Sequence, residues 1–313
     1  MLSTTPLFDA TAGGLKAHPK ELPAAWLYDE RGSLLYREIT ALPEYYLPRR
    51  EAEILRLRAP KIAEQTGAET LIELGGGGAR NTRYLIDALP ELHRFVAFDV
   101  SEQMLRPTTE AIADAYPGTF VDGVVGDFER DLDALPAGER RLIALLGSTI
   151  GNLVPARRAR LLRALAGTLG EGDAFLVGLD LVKDVARLEA AYNDSAGITE
   201  AFARNALTAI NRELDATFDQ RRFGYDAHWD PEHEWMEIGL CAREAHIVAV
   251  PGLELELSFD AGELLRVEIS AKFRREGFDR EAQVSGLRLE QWWTDRVRDF
   301  AVALFTRKGE ETA

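Results

Sequence analysis

Glu73-Leu74-Gly75-Gly76-Gly77-Gly78 closes an apolar run that begins at Thr70, and the helix-like stretch Asn81–Leu89 follows it. Glycines between a strand and a helix let a ligand approach the backbone closely and present amide N–H groups at the helix start, which suits a nucleotide-like cofactor. The next apolar run ends in Asp99, an acceptor for ribose hydroxyls. The one after it ends in Gly126-Asp127-Phe128, an acid to accept from an adenine amino group and an aromatic ring to stack on the base. Dinucleotides and S-adenosylmethionine are the two cofactor classes held this way. Arg80 stands where a dinucleotide fingerprint, counted from Gly75 and Gly77, requires a small residue for close helix packing. Glu73 followed by Gly75 and Gly77 meets the alternative pattern, with Glu73 holding the loop or facing the cofactor's ammonium end. Taken singly, each feature has a plainer meaning: a glycine loop as a turn, an Asp as a helix cap, Gly-Asp as a turn pair. Their order, each at the end of a successive strand, points to a nucleoside cofactor, and the Asp127-Phe128 pair favours S-adenosylmethionine.

The elements that must position these residues follow from hydrophobic periodicity. Thr70–Leu74, Phe95–Val100, Val121–Val125, Leu142–Leu146 and Ala174–Leu179 read as strands, alternating with helices near Glu51–Gln65, Asn81–Leu89, Ser101–Ala115 and Pro155–Leu169. Repeated βα units imply an α/β fold with a parallel sheet wrapped by helices and ligands at the strands' carboxyl ends. From Lys183 the pattern changes. Asp184–Tyr192 and Ile198–Leu214 read as helices, the latter with Ile198, Phe202, Ala206 and Ile210 on one face. Leu253–Phe259 and Val267–Phe273 then alternate strictly, as in an antiparallel sheet with one wet side. A helix near Asp279–Ser285 and strands Leu287–Trp292 and Phe300–Thr306 would return to the first sheet as its last hairpin. The expected organisation is a discontinuous S-adenosylmethionine-binding domain, 49–182 with 273–313, interrupted by an α+β substrate-binding domain, 1–48 with 183–272.

Composition bounds the function. The chain has 313 residues, 46% of them hydrophobic and 28% charged, a normal globular balance. Its formal charge of −15 argues against nucleic acid and anionic membrane as partners, because both need clustered Lys and Arg. The single cysteine, Cys241, excludes an internal disulfide and a Cys-rich metal site, and is expected to be a small core residue. No metal is expected. With no secretory signal and no membrane-length apolar run, a cytoplasmic monomer is the expectation.

The chain resembles the histidine Nα-methyltransferases of ergothioneine biosynthesis over nearly its whole length. The resemblance rests on Trp26-Leu27-Tyr28-Asp29 with Gly32-Ser33, Leu42-Pro43-Glu44-Tyr45-Tyr46, Glu73-Leu74-Gly75, Phe98-Asp99-Val100 and Gly126-Asp127-Phe128. It continues through Leu146-Gly147-Ser148-Thr149-Ile150-Gly151-Asn152-Leu153, Asp180–Asp184, Glu268–Phe273 and Trp292-Trp293-Thr294-Asp295. It implies a Rossmann-like class I methyltransferase sheet and cofactor contacts from Gly75, Asn81, Asp99, Asp127, Phe128 and Gly147. It further implies that Asn152 and Tyr192 hold the carboxylate of L-histidine, that Tyr28 stands beside its α-amino group, and that Tyr45 and Ile238 line the pocket. Glu268 and Ser270 would read the imidazole. Two residues apart on a strand, they share a face about 6.6 to 7 Å apart, a spacing that engages both ring nitrogens. Without the resemblance, Glu268, Ser270 and Lys272 would read as the wet face of an amphipathic strand. Three positions depart from the family pattern: Asn81 for a frequent lysine, Gly76 for a common serine, and Ile238 for a methionine.

Methyl transfer from a sulfonium asks the protein chiefly for alignment and a neutral amine. Tyr28 is the candidate catalytic residue, favouring the free amine, while Tyr28, Tyr45 and Phe128 could shelter the trimethylated cation by cation–π attraction. The closest alternative is the same chemistry on another amino acid such as tryptophan or a derivative. Glu268 speaks against it, since a carboxylate buried against an apolar ring lacks a partner. A nicotinamide-dependent oxidoreductase is disfavoured by Arg80, and a catalytically silent ligand-binding protein by the intact set Tyr28, Asn152, Tyr192 and Glu268.

Overall fold

Segments such as Arg141–Leu145 and Ala174–Asp180 are apolar on both faces, so they are stable only as strands covered from both sides, and both are buried throughout. The computed structural model describes residues 4–75 and 80–309. Along the chain come α1 (Thr4–Leu15), β1 (Lys20–Glu21), α2 (Glu30–Ala41), α3 (Leu47–Thr66), β2 (Thr70–Leu74), α4 (Arg83–Ala88), β3 (Arg94–Asp99), α5 (Glu102–Ala115) and β4 (Phe120–Val125). There follow β5 (Arg141–Leu145), α6 (Pro155–Thr168), β6 (Ala174–Asp180), α7 (Val185–Tyr192), α8 (Ile198–Leu214), β7 (Phe223–Asp230), β8 (Trp235–Ala242) and β9 (His246–Val250). The last elements are β10 (Leu255–Phe259), β11 (Leu264–Ala271), α9 (Arg275–Val284), β12 (Leu287–Thr294) and β13 (Phe300–Arg307). Contacts within the chain group these into two units: unit 1, residues 1–46 with 183–271, and unit 2, residues 47–182 with 272–313.

Unit 2 is built on a seven-stranded sheet of order β12-β13-β6-β5-β2-β3-β4. The five strands from β6 to β4 are parallel, and β13 and β12 add the antiparallel hairpin at one edge. This is the doubly wound, Rossmann-like α/β sheet expected. Its strand order reverses between β2 and β5, so the carboxyl ends of these two strands flank the crevice where such sheets bind ligands. Phe95, Phe98, Phe175, Phe300 and Phe305 lie fully inside.

Unit 1 contains a four-stranded sheet, β1-β11-β8-β7, and a separate two-stranded ribbon, β10-β9. The ribbon departs from the expectation that Leu253–Phe259 is one strand: a short 3-10 turn at Pro251–Leu253 ends with Glu254 at φ +53°, and the strand starts at Leu255.

The second departure has functional weight. Strict alternation was expected from Val267 onward, but β11 pairs Arg266 with Gly239 and Glu268 with Ile238, leaving Val267 as an extra residue. Such a bulge switches the faces that follow it. Before it, Leu265 shares a face with buried Leu240; after it, Glu268 and Ser270 share that face, opposite Ile238 and Met236. The opposite face carries the charged network Glu21, Arg266, Glu237, His228 and Asp226. Glu268, Ser270 and Lys272 are therefore not a wet stripe. Ser270 is 4% exposed, and Lys272, in unit 2, is buried against Asp180 at 2.9 Å. Cys241 is half-buried rather than in the core, and burial raises its thiol, which keeps it protonated.

Candidate active-site residues

In unit 2, β2 ends at Leu74 and Gly75 turns the chain at φ +72°, its N–H bonded to Phe98 O at 2.8 Å. Gly76, Gly77 and Gly78 lie outside the described residues, and with them the departure at Gly76. Glu73 is 6% exposed, and its Oε2 has no hydrogen-bond partner among the described residues. Burial, then the charges of Glu51 and Asp99, raise its carboxyl to about 8, opposed by the neighbouring Thr82 hydroxyl. Asn81 donates through Nδ2 to Pro48 O at 3.2 Å and to Glu51 Oε2 at 2.8 Å. Asp99, at the end of β3, accepts from Ser101 N at 2.9 Å. Asp127 accepts from Glu129 N at 2.9 Å, and burial raises its carboxyl; Phe128 beside it is half-buried.

At the end of β5, Gly147 at φ +72° is followed by Ser148 at φ +60°. The left-handed region suits the glycine and costs the serine about 1–2 kcal/mol. Ser148 is locked there by accepting from Asp180 N at 2.9 Å through Oγ. The two turn the chain into a 3-10 turn, Thr149–Asn152, that carries half-buried Asn152. Local strain thus sits beside the switch point, where pre-organisation serves a ligand.

These unit 2 residues fit the cofactor the sequence points to. Asp99 and Asp127 are acceptors at successive strand ends, Phe128 is an aromatic face, and the orphaned Glu73 oxygen belongs to a buried acid whose ionised form a sulfonium or ammonium would satisfy.

In unit 1 the expected substrate residues cluster on the face that the bulge exposes to the interior. Tyr192, at the end of α7, donates from its hydroxyl to Ser270 Oγ at 2.7 Å, and Tyr225 on β7 donates to Tyr192 O at 2.5 Å. Tyr45 meets Tyr192 edge-on, ring centroids 6.1 Å apart. Burial holds the Tyr45 phenol well above its ordinary range, with Tyr36, Tyr192, Tyr28 and Glu268 adding in that order, so five of these groups share one neighbourhood. Ile238 is 2% exposed and faces Glu268 across β8 and β11.

Tyr28 stands at the end of a 3-10 turn, Ala24–Leu27, and packs edge-on against Tyr36 at 5.6 Å and Phe202 at 5.3 Å. Asp29, next to it, fixes this corner. It caps α2 by accepting from Gly32 N at 2.8 Å and also accepts from Asn205 Nδ2 at 2.6 Å and Arg212 Nη1 at 3.1 Å on α8.

Sequence reasoning did not single out Tyr36, Tyr225, Phe202 as a ring partner, or Glu51. Tyr225 had a signal in the alternation Phe223, Tyr225, Ala227, Trp229, all on the face of Ile238. Glu51 had none, because a lone acid in a helix pattern reads as surface.

Comparison with known proteins bears on the family. The family described as "Histidine-specific methyltransferase, SAM-dependent" matches residues 8–307. A histidine N-alpha-methyltransferase of Mycolicibacterium smegmatis is 50% identical across 94% of this chain and 92% of its own length. One from Mycobacterium tuberculosis is 48% identical across 93% and 92%. Ergothioneine biosynthesis protein 1 of Neurospora crassa is 31% identical, covering 89% of this chain and 32% of that longer protein. The chain belongs to the histidine-specific, S-adenosylmethionine-dependent methyltransferases.

Proposed function

We propose that this chain transfers methyl groups from S-adenosylmethionine to the α-amino group of L-histidine, three times, giving the betaine hercynine for ergothioneine biosynthesis. The relatives' names support the reaction, and one observation carries the substrate. The bulge at Val267 sets Glu268 and Ser270 on the buried face of unit 1, beside Ile238 and the tyrosines. A carboxylate and a hydroxyl in that setting suit a ring with two nitrogens, which imidazole supplies, whereas an indole offers a single N–H and a phenyl ring none.

S-adenosylmethionine, when bound, supplies an electrophilic methyl group on a sulfonium, so little covalent help is required. Gly75, Asn81, Asp99, Asp127, Phe128 and Gly147 hold it in this reading. Glu268 accepts from one imidazole N–H. Ser270, whose Oγ lies 2.7 Å from the Tyr192 hydroxyl in the ligand-free chain, offers its own hydroxyl to the other ring nitrogen. Asn152 and Tyr192 take the carboxylate, and Tyr28 stands at the amine. An α-ammonium gives up its proton near pH 8, so a phenol that hydrogen-bonds the neutral amine suffices without a strong base. Tyr28 and Tyr45 present ring faces to the cation that builds up, a contribution of about 0.5–2 kcal/mol each. The protein works as a cytoplasmic monomer in this reading, supported by its charge and its single cysteine; among the described residues no helix is long and apolar enough to cross a membrane.

Calorimetry on Glu268→Gln tests the substrate assignment. The variant should bind histidine roughly 10–100-fold more weakly, the loss of one hydrogen bond to a charged group, with S-adenosylmethionine affinity unchanged. Undiminished histidine affinity would overturn the role given to Glu268.

A further inference from the structure

A buried acid beside the cofactor residues of unit 2 is left unused by the mechanism. Glu51 lies on α3, outside every motif that carries the family resemblance, yet it is only 2% exposed. Its Oε1 accepts from Gly147 N at 2.7 Å and its Oε2 from Asn81 Nδ2 at 2.8 Å. A Cβ on Gly178 would collide with Oε1, so β6 is bare where the carboxylate passes. The segments it ties together are the end of β5 and the stretch entering α4, the two sides of the switch point.

Glu73 on β2 is a second buried acid, close enough to feel the charge of Glu51, and its Oε2 is the orphan described above. Burial, opposed by the bonds from Asn81 and Gly147, raises Glu51 to about 7; Glu73 stands at about 8. Other charged groups on the elements around them are Asp99 at the end of β3, the Asp180–Lys272 pair at the end of β6, and Arg50 on α3. Arg50 is engaged by Glu53, Asp295 and Asp299, and residue 81 is a neutral amide. Two interacting buried carboxyls of this kind share a proton at neutral pH rather than ionise together.

We propose that Glu51 positions the cofactor cradle and, with Glu73, couples cofactor binding to a proton. The ligand-free pair keeps one proton. That proton passes to solvent when a sulfonium ligand brings its positive charge, and it stays when the ligand is the neutral thioether left after transfer. No covalent bond changes; one carboxyl O–H becomes a carboxylate and a buffer base takes the proton. The cradle thereby prefers methyl donor to spent product. This inference rests on the reading of unit 2 as the cofactor-binding unit.

Titration calorimetry of the full-length protein with S-adenosylmethionine and with S-adenosylhomocysteine, in phosphate and in Tris at pH 7, tests it. The heats for the methyl donor should differ between buffers by the equivalent of up to one released proton, and those for the homocysteine should not. The affinity ratio of the two should fall by up to about tenfold per pH unit as the medium is acidified below pH 7. Glu51→Gln, which can still accept from Gly147 N, should lower both the proton release and the pH dependence of that ratio. A lost fold without lost coupling would not produce this pattern. Equal heats in the two buffers for the wild-type protein, or proton release undiminished in both Glu51→Gln and Glu73→Gln, would overturn the proposal. Should the variants fail to fold, the wild-type buffer comparison still decides. Tight binding without proton release would sink the coupling alone, whereas no binding of S-adenosylmethionine at any pH would sink the cofactor reading of unit 2 itself.

Discussion

The roles proposed for Tyr28, Glu51 and Glu73 rest on single side chains, each fixed by a few named contacts. Tyr28 is fixed by two ring contacts and by its neighbour Asp29, so removing only its hydroxyl should leave packing intact. Tyr28→Phe is expected to slow methyl transfer by about tenfold or more, with S-adenosylmethionine affinity unchanged; single-turnover rates for the three transfers check this, and three unchanged rates would remove Tyr28 from the chemistry. The raised carboxyls of Glu51 and Glu73 set a stability dependence of their own. Because both hold protons more tightly folded than unfolded, their favourable contribution is complete below the unfolded value of about 4.5 and is lost as pH rises through about 7 and 8. The ligand-free protein should lose stability on the order of a few kcal/mol between pH 5.5 and 8.5, read as a falling melting temperature. Carboxyls shifted the other way, such as Asp219 at about 2, act only below 4.5 and do not offset it. The types of the site residues were legible in the sequence. The burial of Glu51 was not, because an acid within a helix pattern carries no mark of what it will face.

At the scale of elements, the β11 bulge and the corner at Asp29 do the positioning. Alternation in Val267–Phe273 predicted one apolar and one polar face, and a single unpaired residue reversed the outcome by carrying Glu268 and Ser270 inward. Bulges leave no local signature in a run of ordinary strand residues, so this part of the candidate site was suggested only by the family resemblance. The parallel strands of unit 2 were legible directly, since apolar runs of that length between helix patterns have few other uses. The Asp29 corner predicts a split phenotype. Asp29→Ala removes a helix cap and two bonds to α8, and should destabilise the protein by roughly 1–3 kcal/mol. It should raise KM for histidine through the displaced Tyr28 while leaving cofactor affinity alone; an unaltered KM would detach the corner from the substrate. Farther from the site, Asp173 holds the start of β5 through a paired contact with Arg141, Nη2 at 2.6 Å and Nε at 3.0 Å, and accepts from two backbone N–H groups. Asp173→Ala leaves a buried guanidinium uncompensated and should cost about 3–5 kcal/mol in denaturant unfolding.

For the whole molecule, the chain forms two units, with the proposed cofactor residues in the one built on the Rossmann-like sheet and the proposed imidazole readers in the segment that interrupts it. Net charge of −15 suits small-molecule chemistry rather than polyanion binding. A ligand that binds only the folded chain stabilises it by about 2.7 kcal/mol at a hundred times its dissociation constant, so S-adenosylmethionine should raise the melting temperature with no amino acid present. What the sequence could not supply alone was the substrate, because the glycine run and its acids speak only of a nucleoside cofactor. The residues proposed to carry that information, Tyr28, Asn152, Tyr192, Glu268 and Ser270, are scattered over most of the chain. The direct test is purified protein with S-adenosylmethionine and a panel of amino acids, followed by mass spectrometry. Histidine alone should gain three methyl groups; methylation of tryptophan, or no gain on histidine, would contradict the account.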